Sequence, residues 1–132
     1  MILLDTHALL WWITADPRLS KRAAREIAHA RGVLVSPISL WEVATLVRKQ
    51  RIRLDRDLFR WIVDVIARND VTEAPLTATA AAAAGLLGES FGGDVADRLL
   101  YATARELAVP IVTKDEGIRA FARASGDVRT IW

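Results

Sequence analysis

Acidic side chains recur near the ends of apolar segments in this chain. Asp5 directly follows the run "MILL", Glu42 lies in the first turn of the helical pattern after "VLV", and Asp115 comes two residues after "PIVT". Asp94 and Asp97 begin the helical pattern "DVADRLLYATA", which leads to "PIVT". A buried carboxylate without a partner costs several kcal/mol even after relaxation. The charge at the end of the first buried strand therefore requires a partner from elsewhere in the chain.

The chemistry of these acids follows from their number and type. Carboxylates within a few ångströms repel one another, and some stay protonated unless a cation neutralises them. The chain has no cysteine and only two histidines, and oxygen ligands suit a hard cation such as Mg²⁺ or Mn²⁺. Such a cation can bind a phosphate oxygen and activate a water. If Asp5, Glu42, Asp97 and Asp115 converge, we predict metal-assisted phosphodiester hydrolysis.

Helix capping is the alternative explanation for each acid. Free N–H groups and the helix dipole favour Asp and Glu at helix N-termini. Ser39 and Glu42 have the spacing of a capping box, and Asp94 is a plausible N-cap with Asp97 three residues later. Both explanations stay open from the sequence alone.

Short apolar strands alternate with helical patterns along the chain. The predicted strands are "MILL" (1–4), "VLV" (33–35), a brief segment at 71–73, "PIVT" (110–113) and the final "VRTIW". Strands of this length separated by helices predict an α/β fold, in which helices cover both faces of a parallel sheet of four to five short strands. In such sheets the functional crevice lies outside the carboxyl ends of the strands, where Asp5 is placed.

Helical patterns and their caps fill the intervals between these strands. "HALLWWI" follows Asp5, Ser20 caps a helix over about 20–30, and "PISLWEVATLVRKQ" follows "VLV". Asp55 is predicted to open an amphipathic helix, and Thr77 to cap an alanine-rich helix that Gly88 ends. The two last helices are predicted over about 95–108 and at "DEGIRAFAR". The expected apolar face of the helix after Asp55 consists of Leu58, Phe59, Ile62, Val63 and Ile66.

Length and composition limit the class of protein. The chain has 132 residues, 52% of them hydrophobic, and a formal net charge of +2, which predicts a single domain over 1–132. No apolar stretch reaches the roughly 18 residues needed to cross a bilayer, and Asp5 interrupts any signal-like N-terminal core. The absence of cysteine excludes disulfides and thiolate zinc sites. We expect a cytoplasmic protein with no membrane partner.

A basic cluster, "RKQRIR" (48–53), follows the helical segment that carries Glu42. Arg48, Lys49 and Arg51 are candidates for RNA phosphate contacts. A solvated helix end, where the dipole favours cations, explains the same cluster. His7 is interpreted as a residue at the start of a helix rather than a general base. The five tryptophans could stack bases, although aromatic residues at helical spacing more often lie in cores or interfaces.

Three segments together resemble one family. "ILLDTHALLWW", "SPISLWEVATLVRKQRI" and "DVADRLLYATARELAVPIVTKDEGIRAF" are similar to the PIN-domain ribonucleases, and most of all to the VapC-like toxins of bacterial toxin–antitoxin pairs. The resemblance covers nearly the whole chain in the same order. It implies a three-layer α/β/α PIN-like domain that cleaves single-stranded RNA with Mg²⁺ or Mn²⁺. It also implies a homodimer and a cognate antitoxin protein that silences the toxin.

The resemblance also assigns individual residues. The four acids of the family fall on Asp5 in "LLDTH", Glu42 in "SLWEVA", Asp97 in "DVADRLL" and Asp115 in "VTKDE". By the same resemblance the supporting positions are Thr6, Asp94, Arg98 and Thr113, with the two hydroxyls expected to orient carboxylates or water and Arg98 expected to hold neighbouring acids or a phosphate.

Two positions depart from the pattern of close relatives, which often read F-H-x-D-P-A-D-R where this chain reads "FGGDVADR". Gly92 stands where His is frequent, and Val95 stands where Pro is frequent. All four acid positions are retained, so these departures bear on loop rigidity and substrate preference near 91–95.

Two functions of other classes compete with the nuclease. A receiver-like phosphoacceptor domain also gathers acids and Mg²⁺ on a doubly wound sheet, but it needs an acidic pair after the first strand and a lone Asp after the third. This chain has one acid after "MILL" and only Glu73 in "DVTEAP". A non-catalytic module that binds RNA or protein would use its acids solely as helix caps.

Overall fold

The computed structural model describes residues 1–132 and contains one five-stranded sheet. The strands are β1 (Ile2–Leu4), β2 (Val33–Val35), β3 (Val71–Glu73), β4 (Ile111–Val112) and β5 (Thr130–Ile131). Their order is β3-β2-β1-β4-β5, and every neighbouring pair is parallel. The predicted parallel sheet of four to five short strands is confirmed, with β1 at its centre.

Seven α-helices connect and cover these strands. They are α1 (Thr6–Ile13), α2 (Lys21–His29), α3 (Pro37–Arg48), α4 (Leu58–Ile66), α5 (Ala78–Leu86), α6 (Val95–Leu107) and α7 (Glu116–Ser125). A single 3₁₀ turn, Glu89–Phe91, lies between α5 and α6. No helix of the structure is both long enough and apolar enough to span a membrane.

Alternating side chains of the strands produce two hydrophobic cores, one on each face of the sheet. Ile2 and Leu4 pack with residues of α1, α2, α3 and α4, whereas Leu3 packs with residues of α6 and α7. All three side chains of β1 are buried. Because both faces of the strand are covered, its sequence is continuously apolar rather than alternating. This arrangement gives the three-layer α/β/α architecture.

Two predicted helix caps lie at other residues. Ser36, rather than Ser39, caps α3 by accepting a hydrogen bond from the Ile38 N–H at 3.2 Å, with Pro37 in the first turn. Ser39 is buried, and its hydroxyl has no hydrogen-bond partner. Asp57 rather than Asp55 caps α4. Pro at the first helical position has a φ suited to the helix and needs no N–H acceptor there, which favours the earlier start of α3.

The apolar face predicted for α4 is partly wrong. Trp61 and Val65 are the fully buried side chains of this helix, whereas Phe59 is 73% exposed and Val63 is 60% exposed. The sequence of α4 offers two adjacent apolar stripes at helical spacing. The stripe containing Trp61 and Val65 faces the sheet and packs in the hydrophobic core.

The two valines of α4 provide a matched test of this orientation. Val65→Ala should lower the free energy of unfolding by about 2 kcal/mol, because it removes two buried carbons and leaves a cavity. Val63→Ala should change it by less than about 0.5 kcal/mol, since the side chain is mostly in water. Urea denaturation of both variants measures the difference. Equal destabilisation by the two changes would contradict the observed orientation of α4.

Candidate active site

Five carboxyl groups line one open cavity of about 510 Å³ at the carboxyl edge of the sheet. They belong to Asp5, Glu42, Asp94, Asp97 and Asp115. Since β1, β2 and β4 are neighbouring parallel strands, the segments that follow them emerge at the same edge. The structure therefore brings together the four acids proposed as ligands and the acid proposed to support them.

Asp5 is the innermost of these acids. It is 9% exposed, and its Oδ1 caps α1 by accepting the Ala8 N–H at 2.7 Å. Burial raises the pKa of Asp5, and the nearby Asp115 carboxylate raises it further, while hydrogen bonds from Thr113 and the Ala8 N–H lower it. Burial thus dominates over the hydrogen bonds that stabilise the charged form of Asp5.

Glu42 lies on α3 and is held by a residue of α1. The Thr6 hydroxyl donates to Glu42 Oε1 at 2.5 Å, and Thr6 itself is buried. Burial raises the pKa of Glu42, and the carboxylates of Asp94 and Asp5 add to this effect. Thr6 therefore fixes one carboxylate oxygen of Glu42 and orients the group in the cavity.

Asp94 and Asp97 form a reciprocal capping box at the start of α6. The Asp97 N–H donates to Asp94 Oδ1 at 2.9 Å, and the Asp94 N–H donates to Asp97 Oδ2 at 3.3 Å. Burial, together with repulsion from Asp94, Asp115 and Glu42, raises the pKa of Asp97 to about 7. A Cβ on Gly93 would lie only 2.8 Å from the Asp97 Cβ, so this approach requires glycine.

Asp115 is an exposed acid between β4 and α7. Its N–H donates to the Thr113 hydroxyl at 3.0 Å, and its Oδ1 caps α7 by accepting the Ile118 N–H at 2.8 Å. Thr113 is buried and also stabilises the charged form of Asp5. The Thr113 hydroxyl therefore binds the loop of Asp115 and lies close enough to Asp5 to lower the pKa of that carboxyl group.

Convergence and helix capping are both present in this site. Asp5, Asp94 and Asp115 cap α1, α6 and α7 through their side chains, and they also face the shared cavity. Helix N-termini supply N–H groups and a favourable dipole for negative charge. Capping therefore explains how the fold holds several carboxylates together, and the two sequence interpretations are compatible.

The donor set fits a hard cation by its chemistry. All five groups offer carboxylate oxygens, and the raised pKa values of Asp5, Glu42 and Asp97 reflect charges that lie together in a poorly solvated place. A divalent cation would remove this repulsion. The structure contains no group of three or more His, Cys, Asp or Glu side chains already arranged to hold a metal ion.

Two of the residues proposed from the sequence lie away from the carboxylates. The Arg98 guanidinium donates to the backbone carbonyls of Leu87 and Gly88 and lies over the Phe91 ring. It joins the loop before α6 to the helix instead of holding the acids. Arg48 is exposed at the end of α3 and lines none of the cavities described here.

Lys49 and Arg51 lie nearer to the acids. Both line a cavity of about 220 Å³ that also includes Glu42, Asp94 and the exposed Trp41. The basic cluster after α3 is therefore continuous with the acidic cavity through these two residues, which is the placement needed for contacts to a bound polyanion.

Four further residues line the acidic cavity, although the sequence predicts no catalytic or metal-binding role for them. His7, Trp11, Arg18 and Lys114 all line it. A positive charge at the position of His7 lowers the pKa of both Asp5 and Glu42. The signal available in the sequence was proximity, because His7 is two residues from Asp5 and Lys114 precedes Asp115. Nothing in the sequence indicated that Arg18 reaches this cavity.

Comparison with known proteins identifies the family. Residues 2–124 match the PIN domain. The chain belongs to the PIN-domain family. It is 40% identical over 119 residues to ribonuclease VapC22 of Mycobacterium tuberculosis, and the match covers 90% of each chain.

Solved structures share this PIN fold. A VapBC2 structure from Rickettsia felis, bound to a DNA fragment from the promoter, has a TM-score of 0.67 at 16% identity and covers 98% of this chain and 97% of its own. VapBC-1 from nontypeable Haemophilus influenzae has a TM-score of 0.68 at 15% identity, with 98% and 96% covered. The resemblance inferred from the sequence and the predicted PIN-like fold are confirmed.

The carboxyl cluster predicts an unusual dependence of stability on pH. The folded PIN domain keeps a proton on Asp97 up to a pKa of about 7, whereas the unfolded chain releases it near its ordinary value of 3.8. The metal-free protein should therefore lose stability as pH rises through this interval. Asp97→Asn removes the charge and keeps an oxygen that can accept the Asp94 N–H. It should raise the melting temperature of the metal-free protein at pH 8, with little effect at pH 4.

Thermal melting at pH 4, 6 and 8, with and without Mg²⁺, measures this effect. Mg²⁺ should raise the melting temperature of the wild type at pH 8 and should do so less in Asp97→Asn. Asp57→Asn, which keeps a capping oxygen on α4 outside the cavity, is the matched control. A difference between wild type and Asp97→Asn that does not grow with pH would rule out this electrostatic interpretation.

Proposed function

We propose that this PIN domain is an Mg²⁺-dependent endoribonuclease toxin, with Mn²⁺ as a substitute, that cleaves single-stranded RNA and is neutralised by a cognate antitoxin. The observation that carries the proposal is the convergence of Asp5, Glu42, Asp97 and Asp115 on one cavity at the carboxyl edge of the sheet. The similarity to a ribonuclease over 90% of both chains supports the same reaction class.

The proposed roles follow from the contacts in the cavity. Asp5, Glu42, Asp97 and Asp115 would hold the metal, and a bound divalent cation would supply positive charge to the phosphate and activate water for hydrolysis. Thr6 orients Glu42 through the 2.5 Å hydrogen bond, and Thr113 supports Asp5 and the loop of Asp115. Attack of water on the phosphorus with cleavage of the P–O3′ bond would leave a 5′-phosphate and a 3′-hydroxyl, with the proton of the attacking water passing to the departing 3′-oxygen.

Asp94 is proposed as a supporting acid. Its Oδ1 accepts the Asp97 N–H and fixes the first turn of α6, which positions the Asp97 carboxyl group. Its own charge raises the pKa of Asp97 and Glu42. Asp94 thus strengthens the negative potential that attracts a cation.

The proposed partners are an RNA substrate, an antitoxin and a second copy of the chain. The solved structures that share the fold include VapBC complexes and a toxin–antitoxin complex from Klebsiella pneumoniae. We propose that an antitoxin segment covers the acidic cavity, and that Lys49 and Arg51 contact RNA phosphates beside it. Residues 1–132 are proposed to act as one domain in the cytoplasm.

A non-catalytic binding module is the second candidate, because most of the site acids serve as helix caps. In that case the acids would stabilise helix ends, and bound RNA would remain intact in Mn²⁺. Cleavage by the purified protein separates the two candidates.

Asp5→Asn tests the nuclease most directly. The amide oxygen can still cap α1, so the fold should persist, while a proposed metal ligand loses its charge. Changing outer partners of metal ligands costs about 10–100-fold in metal affinity or activity, so losing a ligand should lower cleavage by more than about 100-fold. The measurement is the cleavage rate of single-stranded RNA with Mg²⁺, Mn²⁺ or EDTA.

Asp70→Asn is the control for this test. Asp70 pairs with Arg68 at the surface, outside the cavity, and the change should leave the cleavage rate nearly unaltered. A folded Asp5→Asn protein that cleaves at the wild-type rate would reject the assignment of Asp5.

A further inference from the structure

One part of the acidic cavity is lined by positively charged side chains. Trp11, Arg18 and Lys114, which we call the cationic wall, line the same cavity as the five carboxyl groups. Trp11 comes from α1, Arg18 from the loop after it and Lys114 from the loop after β4. Three separate parts of the fold thus place two positive charges beside a negatively charged site.

Trp11 is the centre of this wall. The Arg18 guanidinium carbon lies 5.2 Å from the centre of the indole ring, and Lys114 Nζ lies 5.9 Å from it. Both distances are within the range of cation–π attraction. The ring is itself held between His7, at 5.6 Å, and Trp132, at 5.7 Å between ring centres. Trp11 is therefore fixed by its neighbours and can position both cations.

Arg18 and Lys114 both retain N–H donors that could bind a phosphate oxygen. Arg18 donates Nε and Nη2 to Asp16 at 3.1 and 2.8 Å, which leaves its Nη1 without a protein acceptor, and its side chain is 66% exposed. Lys114 is exposed and forms no ion pair in the structure. A phosphate oxygen could contact either side chain without breaking an existing ion pair.

The cationic wall can offset the electrostatic repulsion between the carboxyl groups of this cavity and the phosphates of an RNA strand. Every linkage carries a negative charge, and five carboxyl groups repel it. A cation bound by the acids would neutralise the charge of the phosphate beside it. The flanking phosphates lie farther away, so they require positive charge at other positions. Arg18 and Lys114 are the cations that line the acidic cavity itself, whereas Lys49 and Arg51 line the adjoining one.

We propose that Arg18 and Lys114 bind the phosphates flanking the scissile linkage of the RNA, and that Trp11 positions both cations for this contact. The proposal rests on the proposed ribonuclease function, since it concerns the substrate of that site. Arg18 and Lys114 are thus substrate-binding residues, and Trp11 is a positioning residue. The alternative is that the cation–π contacts serve only local packing.

Salt dependence of RNA binding separates these explanations. Each phosphate contact to single-stranded nucleic acid contributes about 0.7 to the slope of log affinity against log salt. In an Asp5→Asn background, which prevents cleavage during the measurement, Lys114→Gln and Arg18→Gln should each reduce the slope by about 0.7. The probe is a fluorescent oligonucleotide taken from an RNA that the wild type cleaves, titrated at 50–300 mM KCl with constant Mg²⁺.

Matched variants show whether the effect is local. Arg25→Gln removes the same charge from the exposed side of α2, outside the cavity, and should leave the slope unchanged. Lys114→Arg should keep the wild-type slope. Trp11→Leu should reduce the slope although it removes no charge, and Trp11→Phe, which keeps an aromatic ring, should restore most of it. In the active protein, Lys114→Gln should raise KM more than it lowers kcat.

The outcomes distinguish the two proposals. Cleavage by the wild type, with Lys114→Gln and Arg18→Gln matching Arg25→Gln in slope, would overturn the cationic wall and leave the ribonuclease intact. A changed slope for the two cation variants with an unchanged slope for Trp11→Leu would overturn the positioning role of Trp11. If the wild type neither binds nor cleaves any RNA, the proposed function itself fails.

Discussion

Repulsion among carboxyl groups that the fold holds together is the interaction on which this PIN domain depends. Asp5, Glu42 and Asp97 all have raised pKa values, with burial as the largest cause and neighbouring carboxylates adding to it. Such an arrangement is unfavourable in an isolated protein at neutral pH. In the metal complex that we propose, a divalent cation would relieve this repulsion, and folding and metal binding would then be coupled through the same residues.

The architecture supplies the means to tolerate this repulsion. Parallel strands bring their carboxyl ends to one edge of the sheet. The helices that follow begin at this edge, where their free N–H groups and dipoles stabilise negative charge. Asp5, Asp94 and Asp115 each occupy an N-cap. Buried hydroxyls of Thr6 and Thr113 add further hydrogen bonds. The hydrogen bonds with which these acids cap the helices thus also hold their carboxylates in the cavity.

The gathering of these acids could be predicted from the sequence, because the carboxyl ends of neighbouring parallel strands lie at the same edge of a sheet. Uninterrupted apolar triplets such as "VLV" identify buried strands, and the acids that follow them reach one edge. Rotation of a helix is harder to predict, since the exposed Phe59 and Val63 of α4 have the same spacing as its buried residues. The partners of long side chains are harder still to predict from the sequence, because such side chains have several rotamers. Arg98, for example, donates to the backbone carbonyls of Leu87 and Gly88.

Proton release on metal binding tests the central claim most directly. Titration calorimetry with Mn²⁺, in two buffers of different ionisation enthalpy, counts the protons released. At pH 6, where Asp97 with a pKa of about 7 is largely protonated, binding should release on the order of one proton, and at pH 9 close to none. Binding of Mn²⁺ without proton release at pH 6, or no binding at pH 9, would contradict the claim that a bound cation neutralises the carboxyl cluster.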